Sequence, residues 1–298
     1  MLQRSNSKEK RRRSADSSLG SSRIRQPASN PRDLRPTSAL VRLIRMPHSS
    51  YIGRRLTPNP ATADDGDELH FCTTCAFSQA CLSEGYGKAD LRDLHVLVNH
   101  TGPYDARDHI FREGSEFNAI AAVRSGTVKT YIIDSQGNEQ VLGFYLPGEV
   151  IGLNAIHSAR YPCNAIALDT VTLCVFSFPQ LSMLATRMPG LQQHLFRLLS
   201  LDIGKASLLA GDFSADERLA AFLVMLSRRY ASRGFSPHRF MLTMARSDIA
   251  NYLHLAPETI SRVLRRMSNE GTLQINQRHV HLVDLPRLEA LAKPVLRL

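Results

Sequence analysis

The chain has 298 residues, 43% of them hydrophobic, which is enough for about two folded domains. Its formal net charge is +10, and its longest apolar runs are far shorter than the ~20 residues of a membrane span. No apolar block follows the N-terminal charges as it does in a signal peptide. These features argue against a membrane protein and predict a cytoplasmic one, in which the five cysteines serve as metal ligands more readily than as disulfides.

Residues 1–60 are predicted to form a disordered basic tail. They contain 14 lysines and arginines against 3 acidic residues, and their Ser-, Arg- and Pro-rich sequence shows neither a helical nor a strand period. A basic arm of this kind adds salt-dependent affinity for DNA. Two other interpretations remain open: a merely solvated extension, or a start codon placed too early, given the internal Met46.

Residues 61–188 are predicted to form one domain with a cysteine loop followed by an antiparallel β-roll. Short apolar segments alternate with glycine-containing turns, which is the pattern of a barrel or jelly roll. Such a roll holds either a ligand or only its own side chains. The expected strands are 119–124, 127–133, 140–146, 165–168 and 173–178.

The loop cysteines Cys72, Cys75 and Cys81 indicate a metal or iron-sulfur site. Three thiolates complete neither a tetrahedral zinc site nor a four-cysteine cluster, so a fourth ligand must come from elsewhere. The candidates are Cys163, Cys174 and, for zinc only, a histidine such as His70. Strand alternation predicts that Cys174 faces away from its neighbours Leu173 and Val175. The spacing alone does not choose among the candidates, and a structural zinc site remains the main alternative.

Residues 189–214 are predicted to contain a long dimerisation helix, in which Pro189 suits the first turn. Two apolar stripes run along this helix, and two stripes require two partners. One partner is the roll, and the other is the same helix of a second subunit. A helix buried wholly within one subunit remains the alternative. The stripes consist of Phe196, Leu199, Ile203, Ala206 and Ala210, and of Leu191, Leu195 and Leu198.

Residues 215–298 carry 13 lysines and arginines against 7 acidic residues and are predicted to form a winged helix-turn-helix. The last two of its three expected helices are separated by the short turn His254–Ala256. A hairpin that follows them would be the wing. The expected helices are 216–231, 247–253 and 257–267, and the expected wing strands are 272–276 and 279–283.

The helix at 257–267 carries the residues predicted to bind double-stranded DNA. Its apolar residues recur at i, i+3, i+4 and i+7 from Ile260 to Met267, so they share one inward face. On another face, a carboxylate at Glu258 can accept a hydrogen bond from cytosine N4, and Arg262 can pair with guanine O6 and N7. That face is formed by Glu258, Ser261, Arg262 and Arg265.

Taken together, these motifs resemble the fumarate and nitrate reduction regulator (FNR) branch of the CRP/FNR superfamily of transcription regulators. The resemblance implies an α+β fold with an N-terminal β-roll of the cyclic-nucleotide-binding type, a long dimerisation helix and a C-terminal winged helix-turn-helix. It extends from about Cys72 to Leu291. Besides the cysteine loop, it is carried by Arg124–Lys129, Gly137–Gln140, Glu217–Phe222, Arg233–Pro237 and Glu258–Arg262.

The resemblance also implies a cofactor and a mechanism. In that family the loop cysteines and one distant cysteine hold a [4Fe-4S] cluster, and the distant one matches Cys174, which makes Cys163 the spare. The intact cluster favours a homodimer, whereas oxygen converts it to [2Fe-2S] and loosens the dimer. Dimers bind promoter palindromes with TTGAT half-sites through the positions of Glu258, Ser261 and Arg262, and they act on RNA polymerase, usually as activators of anaerobic genes.

The same comparison argues against cyclic AMP as the effector. The stretches Gly152–Asn154 and Pro162–Ala165 lack the glutamate and arginine that hold ribose and phosphate in nucleotide-binding relatives. No enzyme active site is expected, although an iron-sulfur redox protein is a more distant alternative. The chain also departs from the family pattern, because His254 replaces a turn glycine and Ala256 replaces a capping Ser or Thr. These two changes predict a cost in stability and no change in specificity.

Overall fold

The computed structural model describes residues 97–207 and 211–296. The tail predicted for residues 1–60 and the loop with Cys72, Cys75 and Cys81 lie outside the described residues. The described chain forms a β-roll, helices and a small three-stranded sheet, which confirms the predicted α+β class. Within these described ranges, no helix has the length and apolar character that crossing a membrane requires.

The roll is built from two four-stranded antiparallel sheets, with the strand orders β1-β8-β3-β6 and β2-β7-β4-β5. All five predicted strands are present, with bounds that differ by at most two residues. The strands β1, β2 and β6 were not predicted, since two of them are very short and β1 contains Gly102 and Pro103. The strands are β1 Val98–Tyr104, β2 His109–Phe111, β3 Ala119–Ser125, β4 Val128–Ile133, β5 Glu139–Tyr145, β6 Val150–Ile151, β7 Asn164–Ala167 and β8 Val171–Ser177.

Strand alternation gives the roll an inner and an outer core. Leu173 and Val175 of β8 point inward, where they join the stacked rings of Phe111 and Tyr161, whose centroids are 4.0 Å apart. Because successive side chains of a strand face opposite sides, Cys174 points outward. The sequence prediction that Cys174 faces away from Leu173 and Val175 is therefore confirmed.

Two helices, α1 Phe178–Ala185 and α2 Pro189–Ser207, cover the outer face of the β1-β8-β3-β6 sheet. The α2 residues Leu191, Leu195 and Leu198 pack in this outer core, as one of the two predicted stripes requires. The helix is described as far as Ser207, and Gly211–Ser214, which the predicted dimerisation segment included, is not helical.

The second stripe of α2 stays largely outside this core. Phe196 is 60% exposed and Ile203 is 70% exposed, and Leu201 beside them is exposed as well. Leu199, predicted in the same stripe, instead contacts the outer core at its margin. The side chain of Ala206 and all of Ala210 lie outside the described part of the chain. An exposed apolar stripe of this kind is typical of a protein–protein contact.

The C-terminal residues form a winged helix-turn-helix, which confirms the predicted architecture of this domain. The three predicted helices and both wing strands are present within two residues of their expected bounds. Strand β9 was too short to predict, and helix α6 was missed because it contains two prolines. The elements are α3 Ala215–Ala231, β9 Arg239–Met241, α4 Arg246–Tyr252, α5 Pro257–Asn269, β10 Leu273–Asn276, β11 His279–Leu282 and α6 Leu285–Leu296, with the sheet order β10-β11-β9.

The roll and the DNA-binding domain share one hydrophobic core. Val141 and Phe144 of strand β5, and Leu146 just after it, belong to a cluster whose other buried members come from the C-terminal domain. The Phe144 ring lies 6.2 Å from that of Phe222 in α3 and 5.4 Å from that of Tyr252 in α4, measured between centroids. The position of the helix-turn-helix is therefore tied to the β4-β5 hairpin of the same chain.

Candidate DNA interface and cysteine site

The turn between α4 and α5 has the two departures that the sequence predicted. His254 adopts a left-handed backbone conformation with φ of 54°, where glycine would carry no side-chain penalty. The helix-capping position before α5 is Ala256, which makes no side-chain cap, although Pro257 suits the first turn. The predicted cost in stability thus has a visible geometric origin in this turn.

Helix α5 separates its structural and polar residues by face. Its inward residues Ile260, Val263, Leu264 and Met267 are all buried, as predicted. The predicted DNA-contacting residues Glu258, Arg262 and Arg265 are exposed, and Ser261 is half-buried. The structure therefore brings the four predicted positions to one accessible side of the helix.

Hydrogen bonds within α5 hold two of these polar side chains. The Ser261 hydroxyl donates to the Pro257 carbonyl oxygen at 3.0 Å, and the Arg262 guanidinium donates to the Thr259 hydroxyl at 3.2 Å. The neighbouring Arg266 has a different position, because it forms an ion pair with Asp216 of α3. The adjacent arginines Arg265 and Arg266 thus point to different surroundings, and only the former belongs to the predicted DNA surface.

A buried lysine joins the roll to the first helix of the helix-turn-helix. The ammonium of Lys129 in β4 lies 2.7 Å from a Glu139 carboxylate oxygen and 3.0 Å from an Asp248 carboxylate oxygen. Burial alone would lower the pKa of this ammonium, but hydrogen bonds to both carboxylates raise it above its usual value. Lys129 is therefore held in its charged form between the two domains.

A second contact between the domains is a carboxylate shared by two arginines. The Glu149 carboxylate accepts hydrogen bonds from Arg229 at 2.5 and 2.8 Å and from Arg233 at 2.8 Å. Arg229 also donates to the Phe144 carbonyl oxygen at 2.6 Å, and the Leu146 amide donates to Glu149 at 3.1 Å. Because these charges are largely buried, their pairing is a structural requirement of the junction.

The side-chain amide of Asn251 in α4 completes the junction. Its oxygen accepts from the Val141 amide at 2.7 Å, and its nitrogen donates to the Glu139 carbonyl oxygen at 2.6 Å. The β4-β5 register shifts between Val141 and Gly143, so this irregularity in β5 coincides with the contact to α4.

The sequence analysis missed the junction residues, because their partners are 80 to 119 positions away along the chain. The sequence contained one usable signal, a lysine at position 129 within the buried first part of strand β4. A charged residue in such a strand requires a partner of opposite charge.

Cys174 lies half-buried on the outer face of the roll. In the sheet it stands opposite His100 of β1 on one side and Ala122 of β3 on the other. Its Sγ atom is 3.5 Å from Nδ1 of His100. The short side chain of Ala122 limits the crowding of the sulfur on that flank.

Cys163 has a different environment, inside the roll. It is 0% exposed, and the Asn154 side-chain nitrogen lies 3.5 Å from its Sγ atom. Burial raises the pKa of the Cys163 thiol, while the hydrogen bond from Asn154 acts in the opposite direction. Since a metal ligand must be both deprotonated and reachable, the donor chemistry fits Cys174 better than Cys163.

The remaining predicted ligands, Cys72, Cys75 and Cys81, and the zinc alternative His70 lie outside the described residues. Within residues 97–207 and 211–296, no three or more His, Cys, Asp or Glu side chains converge into a metal-binding group.

Two family models match separate parts of the chain. Residues 102–187 match the cyclic nucleotide-binding domain, and residues 217–291 match the Crp-like helix-turn-helix domain. The first range falls within the roll and its covering helix, and the second falls within the winged helix-turn-helix.

Curated relatives are similar over most of the chain. The fumarate and nitrate reduction regulatory protein of Salmonella typhimurium is 41% identical over 230 residues, which cover 76% of this chain and 92% of the relative. Its Escherichia coli counterpart is 40% identical over the same share. The transcriptional activator protein Anr of Pseudomonas aeruginosa is 39% identical over 224 residues, 74% of this chain and 92% of that protein.

Among solved structures, FixK2 from Bradyrhizobium japonicum is similar, with a TM-score of 0.59 and 28% identity. The match covers 65% of this chain and 96% of that structure. These relatives are transcription regulators and not enzymes. The chain therefore belongs to the FNR branch of the CRP/FNR family of DNA-binding transcription regulators.

Proposed function

We propose that this regulator responds to oxygen through a [4Fe-4S] cluster held by Cys72, Cys75, Cys81 and Cys174. The observation that carries the proposal is the outward, half-buried position of Cys174, in contrast to the enclosed Cys163. Similarity to proteins named for fumarate and nitrate reduction supports it. When bound, the cluster supplies an oxygen-labile centre that links a loop before the roll to strand β8.

The proposed protein acts as a homodimer formed through the exposed stripe of α2. Phe196 and Ile203 lie one heptad apart and are exposed, so they can pair with the same residues of a second α2 helix. In this proposal, Cys174 and the roll under α2 bind the cluster more favourably in the dimer than in the monomer. Loss of the cluster therefore reduces the fraction of dimer by mass action.

The proposed DNA site is a promoter palindrome with TTGAT half-sites. A symmetric dimer presents two α5 helices to successive major grooves, about 34 Å apart. Glu258, Ser261 and Arg262 would contact base edges, and Arg265 would support them from the same exposed face. In this proposal the protein acts in the cytoplasm on RNA polymerase, usually as an activator, and thereby regulates anaerobic genes.

Cyclic AMP is not the proposed effector. The side-chain oxygen of Asn164 accepts from the Glu113 amide at 3.2 Å, and the Asn154 nitrogen lies against the Cys163 sulfur. The two asparagine side chains within these stretches are thus engaged within the roll. Neither provides a positive charge for a phosphate.

One observation favours a second candidate, a regulator of the same family with a structural zinc site and a different effector. The 3.5 Å separation of Cys174 Sγ and His100 Nδ1 is also compatible with both atoms binding one tetrahedral zinc ion. In that case a four-coordinate site would combine Cys174 and His100, and not His70, with two of the three loop cysteines.

Metal analysis of protein purified without air tests the proposal and separates these candidates. The proposed cluster requires about four iron and four sulfide per chain, with a brown colour. The matched control is Cys163→Ser, which should contain the same amounts. A colourless protein with one zinc per chain and no sulfide would contradict the proposal and support the zinc alternative.

A further inference from the structure

We propose that His100 is a positioning residue for the cluster, because its Nδ1–H donates a hydrogen bond to the Cys174 sulfur and thereby slows the loss of iron. This inference rests on the proposed function. It concerns a residue outside the set of four cysteines, and it predicts an effect on the rate of cluster loss and not on cluster presence.

The strand register fixes His100 beside Cys174. The two residues are directly paired across β1 and β8, between the pairs Val98↔Phe176 and Thr101↔Leu173. These flanking pairs are anchored in the two cores of the roll, since Leu173 faces the interior and Phe176 packs under the covering helices. The backbone register therefore keeps His100 and Cys174 directly opposite each other in the sheet.

The distance suits a hydrogen bond to sulfur. Nδ1 of His100 and Sγ of Cys174 are 3.5 Å apart, and sulfur is a large, weak acceptor. A cysteine that binds iron is a thiolate and cannot donate, so Nδ1 must be the donor in the loaded protein. The neutral imidazole with its proton on Nδ1 meets this requirement without any change of charge.

Such a hydrogen bond has a defined chemical effect. Hydrogen bonds to the sulfurs of an iron-sulfur cluster help to set its reduction potential. Loss of a residue that hydrogen-bonds to a metal ligand typically lowers metal affinity 10- to 100-fold. Donation from His100 draws electron density from the sulfur and keeps the side chain of Cys174 oriented. On the β3 side Cys174 is paired with Ala122, whose methyl group offers no hydrogen bond.

Two substitutions at position 100 separate hydrogen bonding from packing. His100→Leu removes the donor and keeps a side chain of similar size, whereas His100→Asn places an N–H near the position of Nδ1. Asn99→Ala, at an exposed neighbour on the same strand, is the matched control. All proteins are purified without air, and iron and sulfide are measured before any challenge.

The measured quantity is the rate of iron release, first to a chelator without air and then on exposure to air. We expect all variants to contain the cluster, and we expect release to be about tenfold or more faster for His100→Leu than for wild type. Release from His100→Asn should lie close to wild type, and release from Asn99→Ala should equal it. The rescue by Asn distinguishes a hydrogen bond from simple packing.

Three outcomes would overturn the inference. Equal release rates for wild type and His100→Leu would show that the hydrogen bond does not slow iron release. Equal acceleration in His100→Leu and His100→Asn would assign the effect to packing. Complete absence of iron from both variants would make His100 a ligand. A wild-type protein without iron and sulfide contradicts the proposed function itself, and the initial metal analysis reveals this before any rate is compared.

Discussion

The roll and the DNA-binding domain hold their candidate functional residues in different ways. The four positions predicted to contact DNA lie within Glu258–Arg265, on one helix whose opposite face is buried. The proposed cysteine site instead would require Cys72, Cys75 and Cys81 to meet Cys174, about a hundred positions later in the sequence. A local arrangement depends on the helical period, whereas a distant one depends on the whole roll. Changes on the exposed face of α5 should therefore affect DNA binding alone, and changes around Cys174 should affect the coupling between the cysteine site and DNA binding.

The largest expected effect comes from replacing Cys174, on the outer face of the roll, and it contrasts with replacement of Cys163 inside the roll. Cys174→Ser should abolish iron retention without air, because a cluster then lacks its fourth thiolate, whereas Cys163→Ser should retain it. Iron and sulfide analysis of both variants measures the difference. Without iron, the Cys163 thiol should also react slowly with an alkylating reagent at neutral pH, since burial raises its pKa. Equal iron content in the two variants would refute the choice of Cys174.

The next effect concerns the junction between the two regions. Glu149→Gln leaves the Arg229 and Arg233 charges without their shared carboxylate, so the free energy of unfolding should fall by about 3–5 kcal/mol. Denaturant unfolding monitored by circular dichroism measures this change. The control is Arg228→Gln, which breaks an exposed pair with Glu289 and should cost at most about 1 kcal/mol. Equal costs would mean that the junction network does not hold the domains together.

A smaller effect tests the local arrangement of α5. Arg262→Ala should weaken binding to the TTGAT palindrome by about 1–3 kcal/mol and leave the free energy of unfolding unchanged, because this side chain is exposed. The preference for guanine in the half-site should disappear in the variant. Arg266→Ala is the control, since it removes an ion pair with Asp216 and should leave base preference intact. Retained guanine preference in Arg262→Ala would contradict the assigned contact.

The smallest effect compares two helix starts within the DNA-binding domain. Helix α3 begins with a reciprocal capping box between Ser214 and Glu217, while α5 begins at the uncapped Ala256. Ser214→Ala should cost about 1 kcal/mol of stability, and Ala256→Ser should add about 0.5–1 kcal/mol. Thermal unfolding of both variants measures these changes. A loss on Ala256→Ser would show that the turn excludes a capping side chain.

Sequence periodicity predicted the elements whose pattern is local. The faces of α5 followed from the spacing of Ile260, Val263, Leu264 and Met267, and the outward direction of Cys174 followed from its neighbours in β8. The choice between Cys174 and Cys163 did not follow from spacing, because both thiols are distant from the loop along the chain. It came from the family resemblance, and the burial of Cys163 now supports it physically.

Local sequence patterns could not predict the contacts between the roll and the DNA-binding domain. Lys129 with Asp248 and Glu149 with Arg229 are brought together by packing between domains, which no period of 2 or 3.6 residues encodes. The exposed stripe of α2 was only partly predicted, since Leu199 contacts the roll while Phe196 and Ile203 do not join its core. A side chain that lies between two apolar stripes can pack either against the roll or against a second subunit.

The most direct test of the central claim is the affinity of one anaerobic preparation for a TTGAT palindrome, measured with the [4Fe-4S] cluster intact and again after exposure to air has converted or removed it. The proposed coupling predicts a loss of affinity of about 5- to 150-fold, together with a shift from dimer to monomer. Equal affinity before and after cluster removal would contradict it.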